Sequence, residues 1–161
     1  MSQALLLVLL FLVVAASFYD LLTYTIPNTL NAVIAVLFPL YAVAAGFGLA
    51  EVASHGAVAF AILVAGILMF ARGWIGGGDA KLGAAIALWY GPTRPLLDFF
   101  VVSAIAGAGL GLMLLSFRRL PLPASLLRIG WLRQLHDPKM GVPYGVAFGM
   151  GLVATLAQLT S

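Results

Sequence analysis

Six apolar runs, separated by short stretches that hold most of the charge, constrain this chain more than anything else in it. They are Ala4–Leu22, Thr29–Leu49, Gly56–Trp74, Lys81–Tyr90, Leu96–Phe117 and Val142–Leu159. Most approach the roughly 17–25 residues that a helix needs to cross a bilayer. The runs are continuous rather than alternating, and an open sheet edge in lipid would leave backbone groups unpaired, so strands are excluded. Of the 161 residues 63% are hydrophobic and 8% charged, where a soluble domain carries about 25% charged. So much apolar surface cannot be hidden in a water-facing fold, and the solvent of this chain is lipid. The expected architecture is all-α and polytopic, about six transmembrane helices in a single domain over residues 1–161, with no internal repeat. Met1-Ser2-Gln3 lacks the basic start of a signal peptide, so the first run reads as a retained helix.

The few charges fix an orientation. Arg118, Arg119, Arg128, Arg133 and Lys139 lie between the fifth and sixth runs, and Arg72 and Lys81 between the third and fourth. Basic loops stay in the cytoplasm, and these two are separated by two spans, as loops on one face must be. The opposite face receives Arg94, Glu51 and His55. The amino terminus is therefore expected outside and the link between the first two spans inside. Asp20, at the end of the first run, and Asp79, at the start of the fourth, then fall on the same face at similar depth. Glu51 and Asp98 fall on the other, and Asp137 lies in the basic loop.

The fourth run is short. From Lys81 to the break at Gly91-Pro92 it measures about 15 Å at 1.5 Å per residue, against a hydrocarbon core of about 30 Å. One end must sink, and irregular backbone at depth survives only beside protein or a water-filled cavity. Short, Gly/Pro-interrupted segments are where sites in membrane proteins are built. The expectation is a loop, Gly76-Gly77-Gly78, that dips inward and carries Asp79 with it, its small glycines letting another backbone approach.

Asp79 carries two compatible roles, an N-cap of the following helix and an ionisable group facing a cavity. Asp20 reads as an interfacial acid or as the partner of Asp79, set among the apolar Phe18, Leu21 and Leu22. Two carboxylates in close approach cannot both ionise and share one proton. The ionised member can draw a proton from water as it attacks a peptide carbonyl, while the protonated member donates to the developing oxyanion. Such chemistry needs no cofactor, thiol or metal. The chain holds no Cys, His55 and His136 fall on opposite faces, and Ser54-His55 adjacency makes no nucleophile. Lys81 reads as a snorkelling anchor or as a bias on which Asp holds the proton. In Tyr24-Thr25-Ile26-Pro27-Asn28, Pro27 closes one helix and Asn28 is placed to cap the next. In Val142-Pro143-Tyr144-Gly145, Pro143 suits a first helical turn and Gly145 a close helix contact. The basic run Arg118–Lys139 suits anionic lipid head groups rather than nucleic acid.

Taken together, Asp20 with Ile26-Pro27-Asn28 after it, then Gly76-Gly77-Gly78-Asp79-Ala80-Lys81-Leu82, then Val142-Pro143-Tyr144-Gly145, resembles the type IV prepilin peptidases. These belong to the GxGD intramembrane aspartyl proteases, whose pattern Gly76, Gly78 and Asp79 fit. The resemblance implies Asp20 and Asp79 as the catalytic dyad. The expected substrate contacts are Gly76–Gly78, whose small size lets the scissile backbone approach Asp79, with Lys81, Pro143, Tyr144 and Gly145. The implied reaction is cleavage of a prepilin leader at the cytoplasmic face of the inner membrane, next to the pilin's apolar helix. Long members carry an insert with paired Cys-x-x-Cys and also N-methylate the product. The absence of Cys makes this chain resemble the short, peptidase-only form of tight-adherence (Flp-type) pili or the archaeal preflagellin peptidases. A proton- or cation-coupled transporter relaying through the same two acids is the alternative. It calls for acids near mid-bilayer and a repeat relating two halves. A lipid-binding or assembly subunit, a third reading, would tolerate loss of either Asp.

Overall fold

The computed structural model describes residues 2–159. Among them are seven α-helices and no strand: α1 (Ser2–Thr23), α2 (Asn28–Ala45), α3 (Leu49–Ala71), α4 (Gly77–Tyr90), α5 (Arg94–Phe117), α6 (Gly130–His136) and α7 (Tyr144–Thr155). A 3₁₀ turn at Leu126–Arg128 leads into α6, and another at Leu156–Leu159 extends α7. The chain is an all-α polytopic membrane protein. Four helices, α1, α2, α3 and α5, are long and apolar enough to cross a bilayer. The other two of the six expected spans, α4 with 14 residues and α7 with 12, are shorter. These two pack among the long helices.

The helices form two groups. In one, α4 lies against α3 and α2; in the other, α7 lies against α5 and α1. Contact between α1 and α2, and thinner contacts of α4 with α5 and α7, join them. α4 sits at the centre, and its buried face is built of small residues, Ala80, Gly83, Ala84, Ala85 and Ala87, with Leu82, Ile86, Trp89 and Tyr90 filling the gaps. Helix association in lipid relies on packing and close backbone approach, which small side chains permit. A Cβ built on Gly66 of α3 would come 2.7 Å from the Cβ of Ala80, so α3 and α4 approach as closely as glycine allows. The indole of Trp89 donates to the Ile34 carbonyl at 3.0 Å and meets Phe38 and Tyr41, tying α4 to α2.

Hydrogen bonds define the two ends of the bundle. At one, the Lys81 ammonium donates to Asn28 Oδ1 at 2.8 Å, joining the starts of α2 and α4. The Gly145 amide, at the start of α7, donates to the Asp20 carboxylate at the end of α1. At the other end, His55 Nδ1 pairs with the Leu88 carbonyl and the Tyr90 hydroxyl with Thr155. Every basic residue except Arg94 belongs to elements at the first end.

Several boundaries differ from expectation. α3 starts at Leu49, not Gly56, because the polar residues before Gly56 are carried within the helix, Ser54 bonding the Glu51 carbonyl and His55 pairing with the Leu88 carbonyl. The real break is Gly46, in the left-handed region at φ 79°, where the Gly46 and Phe47 amides satisfy the last carbonyls of α2. Asn28 does not cap α2. Pro27 holds the cap position, and the Asn28 side chain is taken by Lys81. α1 ends on Tyr24, a non-glycine residue with φ 55° whose amide returns to the Asp20 carbonyl. Pro143 precedes the first turn of α7 rather than lying in it. The turn at 126–128 and helix α6 stand in the basic stretch where no element was expected.

The Gly66–Ala80 contact gives a test. Gly66→Val should cost about 1–3 kcal/mol through overpacking and lower the thermal midpoint in detergent. Gly56→Val, where the added atoms meet nothing within 4 Å, should leave it unchanged.

Candidate active site

Asp20 is 4% exposed and Asp79 is 9% exposed, both at the basic end of the bundle. A carboxylate taken out of water must find donors, and each finds a backbone amide. Asp79 is the third residue of α4, and its Oδ2 accepts from the Gly76 amide at 3.1 Å, closing the open first turn. Asp20 Oδ2 accepts from the Gly145 amide at 2.8 Å. The two acids belong to different helix groups, yet they lie close enough to interact electrostatically.

Asp20 is held by the start of α7. A Cβ on Gly145 would lie 2.9 Å from both Cβ and Oδ2 of Asp20, so only glycine allows this approach. One turn back on α1, the Ser17 hydroxyl reaches the Gly145 carbonyl at 2.7 Å and the Val13 carbonyl at 2.8 Å. Gly149, one turn further along α7, packs directly on the Ser17 hydroxyl. The loop before α7 is fixed in turn by Arg118, whose guanidinium donates to the Leu135 and Gly141 carbonyls, each at 2.9 Å. Burial pushes the nearby Tyr24 phenol above its usual range, with Arg118 working in the other direction.

Asp79 is sunk below the end of α3. Ala80 lies level with Gly66, which precedes the last residue of α3 by five positions, a rise of about 7 Å. The means differ from the expected glycine loop. Only Gly76 precedes the helix; Gly77 and Gly78 form its first turn. Gly77 packs on the Phe70 ring, and a Cβ on Gly78 would come 3.0 Å from that of Ile26. Asn31 donates to the Gly78 carbonyl at 3.4 Å. The glycines therefore serve close packing of α4 against the Ile26-Pro27 link and α3.

Beside Asp79 opens a cavity of about 350 Å³ between α3, α4, α5 and α7, with Asp79 its one charged lining residue. Tyr144 lines it as well, so the start of α7 touches Asp20 through Gly145 and faces the Asp79 cavity through Tyr144. The remaining expected contact residues lie elsewhere. Lys81 is exposed and bonded to Asn28 rather than directed to Asp79, and Pro143 is fully buried under the start of α7. His55 is buried against Phe38 and Phe47 at the far end, while His136 stacks edge-on against Phe117. Among the described residues no three His, Asp or Glu side chains converge on a common point.

Sequence reasoning missed Ser17, Asn31 and Ser103, and it read Arg118 only as part of the basic run and not as the anchor of the loop before α7. Ser17 was open to discovery, being one helical turn before Asp20 on the same face; the others depend on contacts between distant segments.

Comparison with known proteins adds one result. A family model described as the type IV leader peptidase family matches residues 7–112, a stretch holding both buried acids and ending before α6 and α7. No curated protein and no solved structure matches the chain. The match covers well over half of the 161 residues, and the chain belongs to the type IV leader peptidase family.

Proposed function

We propose that this protein is an aspartic endopeptidase that removes the leader of type IV prepilins, of the Flp type, at the cytoplasmic face of the plasma membrane. The observation that carries the reading is the burial of Asp20 and Asp79, two of only five acids in the chain, at the same end of a membrane bundle and close enough to interact electrostatically. They arrive from separate helix groups, each held by a backbone amide. One carboxylate takes a proton from the attacking water and the other, protonated, donates to the carbonyl oxygen. Membership of a peptidase family supports hydrolysis over ion transport, as does the position of both acids near one end of the bundle rather than midway.

Arg72, Lys81, Arg118, Arg119, Arg128, Arg133 and Lys139 gather at the end that holds the acids, which supports a cytoplasmic active site through the positive-inside rule. The substrate would present its basic leader there and leave its apolar helix in lipid. Between Arg118 and Lys139 the exposed Leu126, Ile129 and Trp131 accompany the basic side chains. That mixture suits a segment resting on anionic head groups. The sequence holds no Cys and so no paired Cys-x-x-Cys, and cleavage without N-methylation of the product is the activity expected.

Asp20→Asn and Asp79→Asn should each abolish processing of a purified prepilin in detergent, by at least about 10³-fold as expected of a group acting in the chemical step. Wild-type rate in either variant would refute the dyad.

Cleavage should fall off on both sides of a pH optimum, since two carboxyls sharing a proton lose function when both are protonated and when both are ionised. A flat profile across the acidic and neutral range would contradict that.

Gly145→Ala should reduce processing at least tenfold by forcing apart the Asp20 contact, whereas Gly109→Ala, with nothing within 4 Å, should process normally.

A further inference from the structure

We propose that the cavity beside Asp79 holds the first apolar residues downstream of the cut bond, with the Ser103 hydroxyl hydrogen-bonding the substrate backbone there. The inference rests on the peptidase reading above. It adds the place where the retained side of the substrate binds and a residue that binds it.

Ser103 is 2% exposed, lines the cavity and has no hydrogen-bond partner. It packs directly on Gly151 of α7, and its surroundings in the cavity are apolar, with Ile62 and Met69 from α3, Phe100 from α5 and Phe148 from α7. A buried hydroxyl without a partner costs free energy, and such groups in folded proteins call for an explanation. A substrate supplies one. A peptide bond can be cleaved only where the chain is opened from helix, and an opened segment in an apolar cavity carries unpaired carbonyls at a similar cost. The Ser103 hydroxyl rests against Gly151, and a rotation about χ1 that turns it to the cavity lets it pair with a substrate carbonyl and satisfies both groups.

The direction of the cavity selects the downstream side. Its lining runs from Asp79 to Gly83 along α4 and from Tyr144 to Phe148 along α7. Each is four positions toward the bundle centre, roughly 6 Å, and about two residues of extended chain fill that length. A substrate whose leader stays in the cytoplasm enters this space with the residues that follow the cut. α3 and α5, which form the lateral walls, pack mainly on α4 and α7 and not appreciably on one another.

A second apolar groove lies between α1 and α7, beside Val14, Phe18, Val146, Met150 and Val153. Its hydroxyl, Ser17, is already bonded to two backbone carbonyls, and it holds neither acid. It lacks the unpaired donor and the carboxylate that the first cavity has.

The absence of native Cys allows a direct test. Ala104→Cys, in the cavity wall, or Met150→Cys, in the other groove, is placed in an Asp79→Asn chain reconstituted with a prepilin carrying one Cys just after the cut position. Oxidation should give a disulfide adduct with Ala104→Cys and none with Met150→Cys. An adduct at Met150→Cys, or at neither, overturns the proposal. In the otherwise native chain, Ser103→Ala should lower kcat/KM roughly threefold to tenfold, as the loss of one hydrogen bond implies, chiefly through KM. Ser103→Thr should retain most of it. Unchanged kinetics in Ser103→Ala would overturn the role of the hydroxyl. The cross-link does not require cleavage, so its failure is separate from that of the dyad, which is read by whether Asp79→Asn alone still cleaves.

Discussion

An acid buried in a membrane bundle depends on the donor it is given, and Asp20 receives its donor from a backbone amide 125 residues further along the chain. The rest of the basic end can be understood from that single hydrogen bond. For the Gly145 amide to reach Asp20, α7 must press against α1 with no side chain between them, which explains glycine at Gly145 and again at Gly149. For α7 to start at the right height, the preceding loop must be held, and Arg118 holds it by two carbonyls. The Ser17 hydroxyl completes the contact by bonding the carbonyl of the same glycine.

Asp79 is positioned by a different route, from within its own helix group. Its carboxylate closes the first turn of α4 through Gly76, and α4 is set low because Gly66 and Ala80 bring it flush against α3. One acid is thus anchored by a distant segment and the other locally. How near they come to each other depends on how the α2–α3–α4 group sits against the α1–α5–α7 group. The contacts of α4 with its neighbours α5 and α7 are thin, and the cavity that borders Asp79 opens between these helices and α3.

Much of this was legible in the sequence, for identifiable reasons. The apolar runs became helices because lipid leaves a continuous apolar segment no other way to pair its backbone. Asp20 and Asp79 came to one end because they stand at the end of an odd-numbered span and the start of an even-numbered one. The triple glycine was misread as a loop because glycine disfavours helix in the abstract. Here the close approach of Gly78 to Ile26 leaves little room for anything larger, and Asp79 satisfies the turn. The start of α3 was misplaced at Gly56 because Glu51, Ser54 and His55 interrupt the apolar run, yet the helix carries all three. The Asn28–Lys81 and Arg118–carbonyl bonds, and the unpaired Ser103 hydroxyl, arise only when segments far apart in sequence meet, and no local pattern announces them.

The claim at the centre is that Asp20 and Asp79 face one another across the join between the two helix groups. Since the chain has no native Cys, Asp20→Cys with Asp79→Cys can be probed in native membranes with a short bifunctional thiol reagent and limited proteolysis between the two positions. The account predicts that the fragments stay joined, and that Asp20→Cys paired with Glu51→Cys, at the opposite end, gives separate fragments. Separation of the Asp20–Asp79 pair under conditions where both thiols are modified would contradict it.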